Sequence, residues 1–339
     1  MSGAARGSPT VSVVMPAYQA EAHLPKVLPP LQALQAAGQV LEILLVDDGS
    51  PDGTAALARA MGARVLASGG RGRGPAAARN VAAAEARGEL LWFVDSDVVV
   101  HEGACERLRL ALGEGGWDGV FGSYCDTPPD PGFFSQYKNL LHHHQHQTSG
   151  GPSSSFWAGC GAIRRSAFLA VGGFDAQRFG PPSIEDIELG HRLHRAGYRM
   201  LLDPQMRCSH LKRWPLRQMV TVDIRRRALP WSRLILAGEA PADELNVRPS
   251  EKRAALLAGA LLLSLPLALL PGGSLWPSLG LAGLAWAANA RFAAFLARRR
   301  GPAFAAAALA FHQVVYVYSG LSYAWAWCEL RLRRPAAGR

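Results

Sequence analysis

Four short apolar runs, each ending in a knot of polar residues and separated from the next by a helical pattern, restrict this chain more than any other feature. They are "VSVVM" at residues 11–15, "LEILLVDDGS" from residue 41, "ARVLAS" from residue 63 and "ELLWFVDSD" from residue 89. Between them lie "AEAHLPKVLPPLQALQAAG", "TAALARAMG" and "PAAARNVAAAEARG". Strands alternating with helices predict an α/β domain on a mostly parallel sheet, because each parallel pair needs a crossover long enough to hold a helix. Ligands bind such sheets at the carboxyl ends of the strands. That edge is where "PAY", "DDGS", "GGRGRG" and "DSD" all fall.

The last of these is the most demanding. Asp95 and Asp97 end a buried-looking strand with two like charges one residue apart, which is costly unless something positive offsets them. Single polar turns arise for conformational reasons, and Asp47 before "DGS" fits an ordinary Asx turn as well as a functional role. Four such clusters on one edge point to a binding site.

Charge is spread unevenly. With 36 Lys and Arg against 26 Asp and Glu, the net charge of +10 suits nucleic acid, anionic lipid or phosphorylated ligands. The tail selects among them. After Arg253 come three apolar stretches, 254–270, 275–297 and 303–327, which predict transmembrane helices and favour a membrane over nucleic acid as partner. Positive residues flank them as "EKR", "RRR" and "RLRR". Keeping these cytoplasmic predicts two crossings as a hairpin over 254–297, with the third stretch, rich in Tyr316, Tyr318, Tyr323, Trp325 and Trp327, along the interface or re-entering. The opening "MSGAARGSPTVSVVMPAY" has no apolar signal core, so the expectation is a multi-pass protein of the cytoplasmic membrane with a cytosolic catalytic domain. The expected division is 1–212 catalytic, 213–252 amphipathic at the membrane surface, and 253–330 membrane helices. Five scattered cysteines without CxxC spacing predict free thiols.

Seven motifs in order, "VSVVMPAYQAEAHL", "LLVDDGSPDGT", "GPAAARN", "VDSD", "WAGCGAIRR", "GGFD" and "IEDIELGHRLHRAGY", resemble the family 2 glycosyltransferases over residues 11–231. The resemblance implies the nucleotide-sugar-binding glycosyltransferase-A fold and an inverting transfer of a sugar from a nucleotide donor. It implies that the "DSD" element works through a divalent cation, Mn²⁺ or Mg²⁺, with Asp97 a direct ligand and Asp95 at the metal shell or ribose. By the same resemblance Pro16, Ala17, Tyr18 and Glu21 line the donor's base and ribose, Asp48 accepts from the base, Ser96 belongs to the donor site, and Arg79 helps hold the nucleotide. In "SIEDIELGHRL", Asp186 corresponds to the general base that takes the acceptor hydroxyl's proton, and Glu185 orients it or meets the acceptor. Acids at Glu185, Asp186 and Glu188 equally suit the positive end of a helix, and both roles are compatible.

Trp157 and Gly159 of "WAGC", with Arg213 and Trp214 of "SHLKRW", are the acceptor-side candidates. Processive members of the family carry QxxRW in the last position; His210 stands here in place of Gln, either as a metal ligand or as a hydrogen-bonding residue. The run "LLHHHQHQTSGG" puts His142 and His146 on one helical face, without a nearby carboxylate or Cys to complete a metal site. It reads as an amphipathic segment at the membrane face or as a solvated loop. "WPLRQMVTVDIRRRALPWSRLIL" reads as a basic amphipathic helix on anionic lipid. The expected acceptor is therefore a hydroxyl of a lipid or lipid-linked glycan. The alternatives are transfer to a polyprenyl phosphate, which needs no base, a processive polysaccharide synthase, or a membrane-tethered binding scaffold.

Overall fold

A computed structural model describes residues 8–333 apart from 242, 244–246, 268 and 269. Residues 268–269 near the end of the first apolar stretch, Arg334 of "RLRR" and the opening seven residues fall outside the described residues. The chain divides into two compact units between Arg213 and Trp214.

The first unit begins with the expected alternation: β1 (Val11–Ala17), α1 (Leu24–Ala36), β2 (Glu42–Asp47), α2 (Thr54–Ala60), β3 (Arg64–Ala67), α3 (Pro75–Glu85) and β4 (Leu90–Val94). These four strands pair in parallel in the order β3-β2-β1-β4. Apart from Ser12, whose hydroxyl donates to Glu42 Oε1 at 2.8 Å, β1 and β4 are apolar on both faces, and each strand is buried throughout. Helix α1 keeps its helical path through Pro29 and Pro30 and buries Leu24, Val27, Leu28 and Leu31. That i, i+3, i+4, i+7 stripe faces the core and explains why the prolines are tolerated.

Beyond β4 the chain follows a less regular course. It runs through β5 (Val98–Val100), α4 (Ala104–Gly113), β6 (Gly119–Tyr124), α5 (Phe133–Gln147), β7 (Gly151–Ser153), β8 (Cys160–Arg164), α6 (Arg165–Ala170), α7 (Glu185–Arg195) and β9 (Met200–His210). The strands extend the sheet as β4-β8-β6-β9-β5, with β7 also on β9, and the β4–β8 and β6–β8 pairings are antiparallel. Only the residues "DSD" separate β4 from β5, yet β5 lies at the far edge against β9. The two acids therefore occupy the point where the chain leaves one strand and jumps across the carboxyl edge. Asp95 N–H donates to Gly159 O at 3.2 Å, and Asp97 O accepts from Leu211 N–H at 2.8 Å, so both sides of the jump are tied down.

The second unit is helical: α8 (Leu216–Val222), a π-helical turn (Asp223–Ala228), α9 (Leu229–Leu236), α10 (Pro249–Leu267), α11 (Trp276–Ala288), α12 (Ala290–Arg300) and α13 (Pro302–Arg333). The second apolar stretch is not one helix: α11 and α12 meet at Asn289 with a bend of 73°. Among the described residues one helix, over Pro302–Leu332, is by itself long and apolar enough to cross a membrane. This is the stretch expected at the interface, whereas α10 of the expected hairpin begins with Glu251, Lys252 and Arg253. The four cysteines of the first unit are buried free thiols and Cys328 is exposed.

Candidate active site

The carboxyl edge of β1 to β4 brings the predicted groups together around a buried arginine. Helix α3 starts at Gly74, whose φ of 88° and contact with the Gly180 carbonyl leave no room for a side chain. This sets the first turns of α3 so that Arg79 projects inward. One guanidinium nitrogen donates to Asp95 Oδ1 at 2.7 Å and another to Glu185 Oε1 at 2.9 Å. Arg79 and Glu185 are each buried to 4 % exposure, and Phe174 lies under the guanidinium at 5.3 Å. The arginine expected to hold the nucleotide thus spends its charge joining two acidic motifs, one 16 and the other 106 residues further along the chain.

The two acids of "DSD" are neutralised separately. Asp95 faces Arg79, while Asp97 Oδ2 lies 3.4 Å from His210 Nε2. Burial, together with the charges of Asp97 and Glu185, pushes the Asp95 carboxyl up against the pull of Arg79. Burial would also raise Asp97, but His210 outweighs it and holds the carboxyl at about 2. His210 is the last residue of β9, opposite Val98 of β5, and its ring stacks on Tyr124 at 4.7 Å and 7°.

Asp186 lies one residue beyond Glu185 but has a different environment. Glu185 is saturated, accepting from Arg79 and from Ser183 N–H at 2.8 Å. Asp186 is half-buried and accepts only backbone N–H groups, from Ala158 at 3.1 Å and from Ile187 at 2.9 Å. Burial and the neighbouring Glu185 charge push its carboxyl up to about 6, against the opposing pull of Arg79. A half-exposed carboxylate of this basicity can take a proton near neutral pH. The helix-start reading of the "ED" pair holds, since Glu185, Asp186 and Glu188 form the first turn of α7.

Several expected contacts take a different form. Pro16 and Ala17 are buried within β1, where Ala17 O accepts from Asp48 N–H at 2.9 Å, so the side chains face the core. Tyr18 is exposed at the strand end, and Glu21 accepts from Gly53 N–H at 2.8 Å. Asp48 has both oxygens engaged: Oδ1 accepts from Ser68 Oγ at 2.6 Å and Arg73 N–H at 3.0 Å, and Oδ2 from Gly74 N–H at 2.8 Å. Its work in this state is to gather the "GGRGRG" loop. Asp47 makes the ordinary turn, accepting from Ser50 N–H at 3.2 Å. Ser96 sits half-buried between the two acids. Gly159 lies under the indole of Trp157, where a side chain would collide with the ring. Arg213 and Trp214 fall at the junction of the two units.

The histidine run is not a solvated loop. It forms the last turns of α5, where His143 Nδ1 lies 2.7 Å from Tyr124 O and His146 Nδ1 2.8 Å from Gly122 O, packing the helix onto β6. Burial pushes His146 down to about 4, so it is neutral at physiological pH. His142 stacks near Tyr124 at 4.3 Å and Trp157 at 4.7 Å, which builds an aromatic wall beside His210. Tyr124 was not a sequence candidate; the alternation of "GVFGSY" marks it as strand but says nothing about what its ring meets.

No three carboxylate, His or Cys side chains gather as a metal cluster among the described residues. The Asp97–His210 pair nevertheless suits a divalent cation, because ligands about 2.1–2.3 Å from one octahedral ion lie roughly 3 Å apart when adjacent. Two protein ligands with the rest from substrate phosphate and water is the usual arrangement for Mg²⁺ and Mn²⁺. Asp95 has less to offer such an ion, since Arg79 already claims one oxygen.

Residues 12–172 match the family model described as "Glycosyl transferase family 2". Glycosyltransferase GlyG of Streptococcus pneumoniae is 34% identical over 135 residues, covering 38% of this chain and 44% of that protein. The N-acetylglucosaminyl-diphospho-decaprenol L-rhamnosyltransferase of Mycobacterium tuberculosis is 28% identical over 239 residues, covering 59% of this chain and 75% of that protein. The chain spans less than half the length of the first three curated relatives it matches, at 44%, 40% and 42%. In fold it is similar to a mannosyltransferase from Pyrobaculum calidifontis solved with GDP-Man and Mn²⁺, at a TM-score of 0.56 and 20% identity, covering 94% of this chain and 87% of that one.

Proposed function

We propose that this chain, which belongs to glycosyl transferase family 2 through residues 12–172, transfers a sugar with inversion from a nucleotide-sugar donor to a hydroxyl of a lipid or lipid-linked glycan. The observation that carries the reading is the Arg79 bridge. It locks the "DSD" turn to the start of α7 and leaves Asp186, alone among the acids discussed here, as a half-buried carboxylate raised to about 6 and paired with no cation. Asp186 takes the acceptor hydroxyl's proton. The freed oxygen forms a bond to the sugar's anomeric carbon as the bond from that carbon to the diphosphate breaks, and the nucleoside diphosphate leaves with the electron pair.

The donor lies over the edge formed by Tyr18, Glu21, Asp48 and Ser96, with its diphosphate toward Asp97 and His210. A Mn²⁺ or Mg²⁺ ion held by those two side chains would supply charge stabilisation for the departing diphosphate. Glu185 and Arg79 position the site without touching the acceptor, and Asp95 shares that role through its bond to Arg79. Trp157 and its aromatic neighbours offer a face on which a sugar can stack.

A hydroxyl acceptor is favoured over a lipid phosphate because a phosphate oxygen is already ionised and gives Asp186 nothing to do. The mycobacterial relative, whose name gives a diphospho-decaprenol-linked sugar as acceptor, supports the lipid-linked choice. The apolar second unit supports attachment to a membrane, close to such an acceptor. The test is nucleoside diphosphate release from a panel of nucleotide sugars, with lipid extract, in Mn²⁺ or chelator. One donor should be consumed in a cation-dependent way, with Asp97→Ala and Asp186→Asn both inactive. Undiminished turnover by Asp186→Asn would favour transfer to lipid phosphate, and silence across donors and acceptors would leave only a binding scaffold.

A further inference from the structure

Within the second unit, charge and apolar surface are segregated. Residues 254–288 carry no charged side chain, and they form the two-helix hairpin α10–α11. Its outer faces expose Leu256 (75 %), Leu263 (72 %), Leu267 (61 %), Trp276 (79 %), Leu279 (58 %) and Leu284 (57 %). Where the two helices meet, Ser264 and Ser278 hydroxyls lie 2.9 Å apart, so each satisfies the other inside the hairpin.

The long helix α13 is surrounded differently. Along its length it is tied to charge-bearing segments. Tyr316 OH lies 2.9 Å from Glu251 Oε2 and 3.0 Å from Asn289 Oδ1, Tyr318 OH donates to Asp223 Oδ2 at 2.9 Å, and Arg233 Nε donates to Glu329 Oε2 at 2.9 Å. These partners bring exposed cations with them: Lys252 and Arg253 follow Glu251, and Arg225, Arg226 and Arg227 follow Asp223. They stand level with the middle of α13. On its N-terminal half, α12 packs antiparallel through Phe292 and His312 at 5.4 Å and carries exposed Arg291, Arg298 and Arg299. If α13 crossed the bilayer, its midpoint would carry these exposed arginines into the hydrocarbon, where they are strongly disfavoured. Its own exposed face bears Tyr323, Trp325 and Trp327, the residues of a membrane–water boundary.

We infer that this unit enters the membrane only through the α10–α11 hairpin, which dips into one leaflet and returns, while α8, α9, α12 and α13 lie at headgroup level as a basic platform on anionic lipid. The dimensions agree. From Ala254 to the end of α10 is about 20 Å of helix, against a hydrocarbon core of about 30 Å, so the turn at Gly272–Gly273 stops short of the opposite face. The inference rests on the membrane attachment proposed above and replaces a multi-pass topology with a monotopic one.

The test uses the full chain bound to sealed vesicles of phosphatidylcholine and phosphatidylglycerol. Flotation with the vesicles checks attachment itself, and failure to float would end both readings. Gly273→Cys in a Cys328→Ser background should be protected from impermeant maleimide added outside or trapped in the lumen, and should label once detergent is added. The native Cys328 thiol should label from outside. Lumenal labelling of Gly273→Cys would show a crossing hairpin, and outside labelling a hairpin that never enters. Cys328 labelled only from the lumen, or protected from both sides, would put α13 through the bilayer. Any of these three results overturns the monotopic topology while leaving the transferase reading intact.

Discussion

Arg79 offers the sharpest test of how the site is held. Replacing it with Met keeps the volume of the stem and removes the guanidinium, leaving Glu185 and Asp95 without their cation. The two arms of the bridge are unequal. Glu185 is 5 % exposed at the side chain, so its charge would be stranded in a dry site, whereas Asp95 at 33 % retains water and its arm is worth at most about 1 kcal/mol. Breaking a buried pair by removing one partner costs about 3–5 kcal/mol, nearly all of it here from Glu185. With a urea dependence near 2 kcal/mol per M, the unfolding midpoint of the first unit should fall by roughly 2 M. Glu185→Gln added to Arg79→Met should recover part of the loss, because it removes the stranded charge. A cost under about 1 kcal/mol for Arg79→Met, or additivity of the two changes, would refute the bridge as the element that joins the motifs.

Asp186→Asn should lower turnover by about 10²–10⁴ with little change in donor KM. In the unsubstituted protein the acidic limb of kcat/KM should lie near 6, activity falling as pH drops through that value because the base must be ionised; a limb near 4 would remove Asp186 from the role. Tyr124→Leu, by freeing the stacked His210 ring, should weaken Mn²⁺ binding about 10-fold in an EPR titration while Tyr124→Phe restores it, and equal affinities in all three would deny the stack any positioning role. Gly74→Ala should destabilise the first unit by about 2 kcal/mol or more, read from thermal unfolding, since its φ of 88° and the Gly180 carbonyl both exclude a Cβ.

Much of the first unit is legible in its local pattern. Runs such as "LLWFV" and "EILLV" are long enough and apolar enough to be buried parallel strands, and the polar residues after them mark one edge. The pattern is weaker after residue 98. β5 and β7 are only three residues each, and no local signal says that β5 crosses the sheet to pair with β9. The histidine run was ambiguous for the same reason: four similar rings have no intrinsic preference for water or core, and only the β6 carbonyls decide. In the second unit, composition located the apolar stretches but not the helices they form, because apolarity along the chain does not record where a helix bends or which charged segments pack beside it. Asn289 breaks the second stretch, and α13, without a Lys, Arg, Asp or Glu through its middle, proves to be flanked by arginines.

What the sequence determined by itself is therefore the chemistry at hand: a strand edge carrying Asp95 and Asp97, a later acidic pair of Glu185 and Asp186, and an uncharged segment beside basic ones. Those follow from residue type and spacing, which are local. What only the tertiary structure decided is the assignment of charges to partners. Arg79 serves Asp95 and Glu185, His210 serves Asp97, and Asp48 is consumed by Ser68 and the backbone of the loop it gathers. Electrostatic energy falls steeply with separation and depends on burial, so a carboxylate's basicity is set by which groups the fold brings within a few ångströms. Asp186 keeps its raised basicity because the fold gives the nearest cation to its neighbour Glu185.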